Sequence, residues 1–408
     1  MYIHLGLQVI FQCMLQLVFL IFFIYLSAAT IYLLVLAVAG NCYKSKQYAH
    51  HPQKKRIAVI IPALREDSII VDTAIKAAAH NYAGDYFQVL VIADKLTANT
   101  ISRLRNIPVE VLEVNFELST KARSIKAALA FFSGKHYEVA MMLDADNIMQ
   151  NGCLEKINDA FNNHCKAVQC HRIAKNENTA IALLGAISEE ININLFRKGP
   201  AALGLSIAPL GSGMAFDFNL LEEIFNVPGI MENPAEDREI EVQLMKRQLK
   251  MKFLNDVYIY DEKVAETSGF ENQRIRWLEA QLNHIKRFFK PDMIGLPKTP
   301  IYYHTFLQNF ILPRLLYILI CFAMLLVLTV QWIFNISFIY PAVPWWITWI
   351  SLYAIILMIS VPGRFYTMQT LKAVAYLPVL TASMLKALMK IKRNRKEFIH
   401  TAKTYSSK

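Results

Sequence analysis

The sequence contains few cysteines and none of the pairs that usually hold a structural metal. Its six cysteines form no Cys-x-x-Cys motif. Cys170 and His171 are adjacent, but no second half-site accompanies them, so a zinc centre is not expected. Internal repeats and low-complexity linkers are also missing. Unpaired cysteines fit a domain that folds in a reducing compartment.

Charge is missing from the beginning of the chain. Residues 7–39 contain no charged side chain, in a protein that is 55% hydrophobic and has a mean hydropathy of +0.30. A membrane-spanning helix needs about 20 apolar residues. The segment is longer than the core of a signal peptide and has no basic residues before it. We therefore predict a retained transmembrane helix within residues 1–40.

Two further apolar runs, at 306–334 and 342–361, follow the middle of the chain and are separated by a proline-containing break. They predict two transmembrane helices within residues 301–364. Residues 365–390 are apolar but interrupted by three lysines. That pattern is typical of an interfacial amphipathic helix, which a basic cytoplasmic tail would follow up to residue 408.

Lysine and arginine cluster beside these apolar segments, in YKSKQYAHHPQKKR (43–56) and KIKRNRK (390–396). Basic flanks face the cytoplasm. We therefore predict a protein of the cell (inner) membrane with its N-terminus outside and its middle domain and C-terminus cytoplasmic. The net charge of +11 is then explained by basic residues that set the orientation in the membrane and contact anionic lipid. Because no nucleic-acid motif accompanies it, a nucleic-acid partner is not expected.

Residues 41–300 alternate strand and helix patterns and are predicted to form one α/β domain. Near-continuous apolar strands separated by helices indicate a mostly parallel sheet covered on both faces. Helix N-caps are predicted at Ser68 and Thr120. The predicted strands lie at 56–64, 87–94, 109–114 and 137–146, and the predicted helices at 68–81 and 120–132.

Acidic side chains follow three of these strands. Glu66, Asp94 and the pair Asp144 and Asp146 each lie at a carboxyl end, where open α/β sheets bind their ligands. Two carboxylates spaced in this way can bind Mg²⁺ or Mn²⁺ bridged to substrate phosphates. A turn in which the acids cap the next helix is the other interpretation. A calcium loop is excluded, since the glycine required at its sixth position is missing.

Two more polar groups come later in the chain. Glu236 and Asp237 begin an amphipathic helix, a position that the helix dipole favours for acids in any protein. The second group comprises Gln273, Arg274, Arg276 and Trp277, just before the membrane segments. Arginine suits bidentate phosphate contacts, although a juxtamembrane basic helix with an interfacial tryptophan has the same composition.

The order of these groups decides between the interpretations. Asp94, then DAD at 144–146, then ED at 236–237, then QRIRW at 273–277 resembles the D, DxD, ED, QxxRW series of membrane-bound family 2 glycosyltransferases. That family includes cellulose, chitin, hyaluronan and poly-N-acetylglucosamine synthases, and more distantly ceramide glucosyltransferase. The resemblance covers about residues 55–290 and the general membrane layout.

The resemblance implies a GT-A fold, a nucleotide-sugar donor and a metal cofactor, Mg²⁺ or Mn²⁺. It also implies a role for each motif residue, with one departure: Ala130 stands where the family usually has an asparagine. By this likeness Asp237 is the general base, with Glu236 beside it, and Asp146 is the metal ligand. The donor would contact Glu66, Asp94, Lys121, Asp144, Arg274 and Arg276, and the acceptor Gln273, Trp277 and Gly213.

The expected activity is inverting transfer from a UDP-sugar to a growing polysaccharide or membrane-associated glycan. Three confident spans are few for a self-contained polysaccharide channel, so a channel or export partner subunit is one expectation. Single-sugar transfer to a lipid-linked acceptor is the alternative, and a non-catalytic nucleotide-sugar sensor is a third. A sensor tolerates the loss of Asp237 or Asp146, whereas both are present here.

Overall fold

The computed structural model describes residues 2–231, 233 and 235–391. The basic tail predicted up to residue 408 lies outside the described residues from 392 onward. Short 3₁₀ segments lie at Gly84–Tyr86 and Gly363–Phe365, and a π-helical turn at Asn194–Lys198. The described strands are β1 (Ile57–Leu64), β2 (Phe87–Asp94), β3 (Glu110–Val114), β4 (Val139–Met142), β5 (Ile148–Met149), β6 (Ala167–Ala174), β7 (Met214–Asp217) and β8 (Lys252–Asp261).

The α-helices fall into those of the α/β domain and those of the apolar segments. In chain order they are α1 (Tyr2–Asn41), α2 (Ile70–Ala78), α3 (Ala98–Arg105), α4 (Lys121–Phe132), α5 (Cys153–Asn162), α6 (Ala180–Ile193), α7 (Gly199–Ala202), α8 (Phe218–Phe225), α9 (Glu236–Lys246), α10 (Thr267–Arg287), α11 (Pro291–Ile294), α12 (Pro300–Phe310), α13 (Arg314–Ile333), α14 (Val343–Ser360), α15 (Met368–Val374) and α16 (Leu377–Met389).

One eight-stranded mixed sheet forms the centre of the domain, in the order β3-β2-β1-β4-β7-β6-β8-β5. The pairs β3–β2, β2–β1, β1–β4 and β6–β8 are parallel, and the other three are antiparallel. The predicted mixed, mostly parallel sheet is therefore confirmed. The fourth predicted strand is too long, because β4 ends at Met142 and the chain then turns, with the Asn147 amide donating to the Asp144 carbonyl at 3.0 Å.

Both faces of the sheet are buried, as the continuous apolar strands indicate. Ile57, Val59 and Ile61 of β1 belong to one apolar cluster, and the intervening Ala58 and Ile60 belong to the other. The alternation follows from the two-residue repeat of a strand. Helices therefore have to cover each face, and α4 and α8 contribute to the second cluster.

One of the two predicted helix caps is confirmed. The Thr120 side chain accepts a hydrogen bond from the Arg123 amide at 3.2 Å and begins α4. The cap at Ser68 is wrong: α2 starts at Ile70 with Ile69 as its N-cap and no side-chain cap. The Glu66 carbonyl instead accepts from the amides of Ile69 and Ile70, so backbone groups satisfy the donors that a serine would have served.

Among the described residues, three helices are long and apolar enough to cross a membrane, at Ile10–Asn41, Arg314–Ile333 and Val343–Ser360. The predicted single run 306–334 is wrong at its start. α12 ends at Phe310 and α13 begins after Pro313, since proline cannot continue a helix from the preceding turn. Residues 365–390 form a pair bent by 43° rather than one helix, and counted together the pair is a fourth candidate span.

The apolar helices pack closely on the domain. A Cβ atom added to Gly199 of α7 would lie 2.5 Å from the Leu36 carbonyl oxygen of α1, so the two backbones touch. Arg314, the first residue of α13, donates to the Ser188 carbonyl at 3.1 Å and to Asn192 Oδ1 at 2.6 Å on α6. The candidate membrane-spanning helices α1 and α13 therefore lie directly against α7 and α6 of the domain.

Candidate functional site

The carboxyl ends of β1 and β2 bring the first acidic residues together. Leu64 pairs with Asp94, and the Arg65 amide donates to the Asp94 carbonyl at 3.1 Å, which holds the following Glu66 at the same edge. The Asp94 side chain is 1% exposed, and neither carboxylate oxygen has a hydrogen-bond partner among the described residues. A buried acceptor without a donor is costly, and a ligand that donated hydrogen bonds to Asp94 would remove that cost.

The loop after β4 carries the next two acids. Ser212 Oγ accepts from the Asp144 amide at 2.9 Å and donates to Asn147 Oδ1 at 2.5 Å. Asn147 Nδ2 in turn donates to Asp146 Oδ1 at 3.1 Å and to Asp261 Oδ1 at 3.0 Å. The following helix α5 has Gly152 as its N-cap. The interpretation of these acids as caps of that helix is therefore wrong, and the loop is fixed by a network of its own.

Lys121, at the start of α4, contacts residues of three other segments. Its Nζ donates to Asp144 Oδ1 and to the Gly211 carbonyl, the latter at 2.6 Å, and lies 3.6 Å from Glu236 Oε1. Burial opposes the charge on Lys121, but Asp144 and Glu236 outweigh it and raise the pKa of the lysine. Lys121 is therefore a charged residue at the point where the three segments meet.

Glu236 and Asp237 occupy the first turn of α9, and their surroundings differ. Glu236 is 6% exposed, and burial raises its pKa to about 7 although Lys121 acts in the opposite direction. Asp237 is half-buried and accepts from the Arg238 amide at 2.8 Å. A Cβ atom added to Gly211 would lie 3.7 Å from Asp237 Oδ2. Asp237 therefore faces the glycine-containing loop 209–213.

The raised pKa of Glu236 has a consequence for stability. The folded protein holds the Glu236 proton up to a pH of about 7, whereas the unfolded chain releases it near 4.5. Wild-type stability is therefore lost as pH rises through this window, by up to about 3 kcal/mol. Glu236→Gln is expected to remove that loss. The melting temperature of the variant should therefore rise relative to that of the wild type as the pH is raised from 4.5 to 7. Parallel pH profiles for both proteins would contradict the assignment, and Glu239→Gln on the same helix is the matched control.

The two arginines of the QRIRW segment lie in different surroundings on α10. Arg276 is near Asp144 and Glu236, which partly offset the burial that lowers its pKa. Arg274 instead stacks between two rings, with its guanidinium carbon 4.5 Å from the Phe270 centroid and 4.3 Å from that of Trp277. Residues two apart on a helix differ by about 200° in direction. The sequence resemblance implies that both arginines contact the donor.

Two of the three predicted acceptor residues, Gln273 and Trp277, lie at this stack. Trp277 is 41% exposed, and Gln273 lies one helical turn before it. Gly213 is buried inside the domain, where its amide donates to the Met142 carbonyl at 2.9 Å and its carbonyl accepts from the Cys170 amide at 2.8 Å. A Cβ atom at Gly213 would lie 2.7 Å from Ile259 Cγ1, so packing alone requires this glycine. The acceptor roles stay predictions.

A buried polar network that the sequence analysis missed supports the loop 208–213. Arg197 donates to the Ala208 and Pro209 carbonyls at 3.0 and 2.9 Å, and Arg172 donates to the Leu210 carbonyl at 3.2 Å. Glu189 pairs with Arg172 and Lys263, which hold its pKa down at about 2 against the effect of burial. Two features of the sequence could have indicated this network. They are the arginine in the strand AVQCHRIA and the glutamates in the apolar helix AIALLGAISEEINI.

The carboxylates of Asp144 and Asp146 suit a metal ion whose other ligands come from the substrate and water. No group of three histidine, cysteine or acidic side chains among the described residues could hold a metal by itself. Mg²⁺ is usually bound by one or two carboxylates together with substrate phosphates and water. Asp146 is 2% exposed and fixed by Asn147, and Asp144 precedes it by two residues. This donor set fits a divalent cation shared with a phosphate.

Comparison with known proteins gives a family match. The family described as "Glycosyltransferase like family 2" matches residues 52–280, more than half of the chain. The mannosyltransferase PcManGT from Pyrobaculum calidifontis, in complex with GDP-Man and Mn²⁺, is similar with a TM-score of 0.51 and 16% identity over 90% of this chain and 97% of its own. S. aureus TarS 1-349 gives a TM-score of 0.40 and 13% identity over 81% and 88%. No curated protein sequence matches.

The family match and the PcManGT superposition confirm the expected GT-A-like fold of the α/β domain. At 16% identity the superposition shows the fold alone. The narrower likeness to polysaccharide synthases and the role of each motif residue stay predictions.

Proposed function

Since the chain belongs to the glycosyltransferase like family 2, and is a glycosyltransferase, we propose that it moves a sugar from a nucleotide-sugar, with UDP as the expected carrier, to a membrane-associated glycan acceptor. The observation that carries this proposal is the meeting of Asp144, Gly211 and Glu236 at Lys121. Residues from three distant segments converge there, and Asp237 faces the same loop.

The donor occupies the edge of the sheet in this proposal. Asp94 and Glu66 receive the hydrogen-bond donors of the base and ribose, which the unpartnered carboxylate of Asp94 supports. Arg276 and Lys121 face the diphosphate with Asp144 beside it. Asp146 holds Mg²⁺ or Mn²⁺, which when bound stabilises the negative charge of the departing diphosphate. A bound metal in PcManGT is compatible with this cofactor.

Asp237 acts as the general base. It accepts the proton of the attacking acceptor hydroxyl while that oxygen forms a bond to the anomeric carbon. The bond from this carbon to the nucleoside diphosphate breaks on the opposite side, and the leaving group carries away the electron pair. Lys121 and Arg276 stabilise the charge that develops there. A single displacement of this kind inverts the anomeric configuration.

The acceptor is a growing polysaccharide or a single membrane-associated molecule. The described residues hold three apolar helices that could cross a membrane, or four with the bent pair. A polysaccharide channel therefore implies a partner subunit, whereas a lipid-linked acceptor needs no channel. The proposed orientation puts the N-terminus outside the cell membrane and the α/β domain in the cytoplasm. A non-catalytic sensor has no support from the site, since its acids are all present.

Donor turnover tests the proposal. The purified full-length protein in lipid nanodiscs is incubated with a panel of UDP- and GDP-sugars and Mg²⁺ or Mn²⁺, and nucleoside diphosphate release is measured. We expect metal-dependent release from one donor and none from Asp146→Ala. The size of the product then separates polymer from single transfer. A protein that neither releases nor binds any donor would contradict the catalytic assignment.

A further inference from the structure

Arg274 is a partly buried cation with no carboxylate partner among the described residues. Its guanidinium stacks on the rings of Phe270 and Trp277, its Nε is buried without a hydrogen-bond partner, and no ion pair to it occurs among the described residues. Burial lowers its pKa to about 9, and the nearby charge of Arg314 contributes in the same direction. A partly exposed guanidinium that no described carboxylate pairs with is available to bind an anionic group.

Arg314 lies close enough for its charge to act on Arg274, and it is also only partly buried. It donates hydrogen bonds to Ser188 and Asn192, both neutral, and pairs with no carboxylate among the described residues. Glu189 is the carboxylate whose charge acts on Arg274, but Arg172 and Lys263 already pair with it. The carboxylate whose charge reaches both arginines is therefore already paired with two other cations.

Packing fixes the two arginines beside each other at the membrane end of the domain. Ile275 and Leu278 of α10 share one apolar cluster with Leu315 and Leu316 of α13 and with Met384 and Ala387 of α16. Gln281 Nε2 also donates to the carbonyls of Asn309 and Ile311, at 3.0 and 2.8 Å, just before α13. Arg274 is therefore held next to the first residue of a candidate membrane span.

We propose that Arg274 and Arg314 form a phosphate-binding site, separate from the donor diphosphate, that holds the phosphate of a membrane lipid or a free phosphate beside the predicted acceptor residue Trp277. Arginine pairs bind phosphate through several charge-assisted hydrogen bonds. The inference rests on the proposed function in one respect: a lipid phosphate here would make the acceptor a phosphate-linked lipid. Arg276 lies two residues along the helix, near Asp144 and Glu236, and its proposed role is still to contact the donor diphosphate.

Lipid binding tests this site without any need for turnover. The full-length protein in detergent micelles is titrated with fluorescent phosphatidic acid and with diacylglycerol of the same chains, which lacks the phosphate. We expect a preference for phosphatidic acid, and a loss of that affinity by about 10- to 100-fold in Arg274→Gln and in Arg314→Gln. Arg364→Gln is the matched control, since Arg364 also lies beside a ring at the end of a span.

Several outcomes separate this site from the donor site and identify its ligand. Nucleoside diphosphate binding should weaken more in Arg276→Gln than in Arg274→Gln. Equal phosphatidic acid binding by wild type and both variants, or loss of nucleotide binding in Arg274→Gln, would overturn the proposal. Arg274→Lys and Arg314→Lys keep the charge and should retain part of the affinity if glutamine variants fold poorly. Displacement by inorganic phosphate would assign the site to free phosphate, and its failure to displace would assign it to lipid.

Discussion

Asp237→Asn is expected to abolish sugar transfer while leaving donor binding intact. An amide cannot accept the proton of the attacking hydroxyl, and loss of a general base costs about 10²- to 10⁴-fold in rate. The substitution keeps the shape of the side chain, and asparagine Oδ1 can still accept from the Arg238 amide as Asp237 does at 2.8 Å. Transfer rate and donor affinity are measured on the same preparation.

Asp237 is a better candidate for the base than its neighbour. Glu236 is buried and lies 3.6 Å from Lys121, so it belongs to the donor side of the cluster. Asp237 is half-buried and lies next to Gly211 of the glycine-containing loop 209–213.

Glu239→Gln is the matched control for Asp237→Asn, because Glu239 lies on the same helix and contacts Gln243 and Arg287 instead. Transfer by Asp237→Asn near the wild-type rate would remove Asp237 from the mechanism.

Most of the fold and the location of the site follow from sequence patterns. The apolar strands 57–64 and 87–94 are buried on both sides, and such strands give the same pattern in any covered sheet. Asp94 and Asp144 lie in the same region because the strands before them are parallel and their carboxyl ends meet at one edge of the sheet. The cap at Thr120 needs only a local hydrogen bond.

The remaining features depend on contacts between distant segments. β7 enters the sheet antiparallel between β4 and β6, and no local pattern fixes the direction of a strand. The support of the loop 208–213 by Arg172 and Arg197 joins residues that only the tertiary fold brings together. Arg274 and Arg276 point in different directions from their helix, and the donor role that the motif implies for both stays a prediction.

Asp146→Asn is expected to remove the metal dependence of donor turnover together with most of the turnover. Removing a metal ligand that stabilises the leaving diphosphate should cost at least about 100-fold in rate. The fold should persist, because Asn147 remains fixed by Ser212 and by Asp261. Nucleoside diphosphate release is titrated with Mn²⁺ for both proteins, with Asp256→Asn as the control, since Asp256 pairs with Lys156 away from the site.

The bond from Asn147 to Asp261 allows a graded version of this test. Asp261 accepts from Asn147 Nδ2, the same nitrogen that donates to Asp146. Asp261→Asn should therefore leave Asp146 in place but less well oriented, and outer-shell changes of this kind cost about 10- to 100-fold in metal affinity. If Asp146→Asn had the same Mn²⁺ requirement and rate as wild type, the acids after β4 would not hold the metal. A larger effect in Asp261→Asn than in Asp146→Asn would place the metal at Asp261 instead.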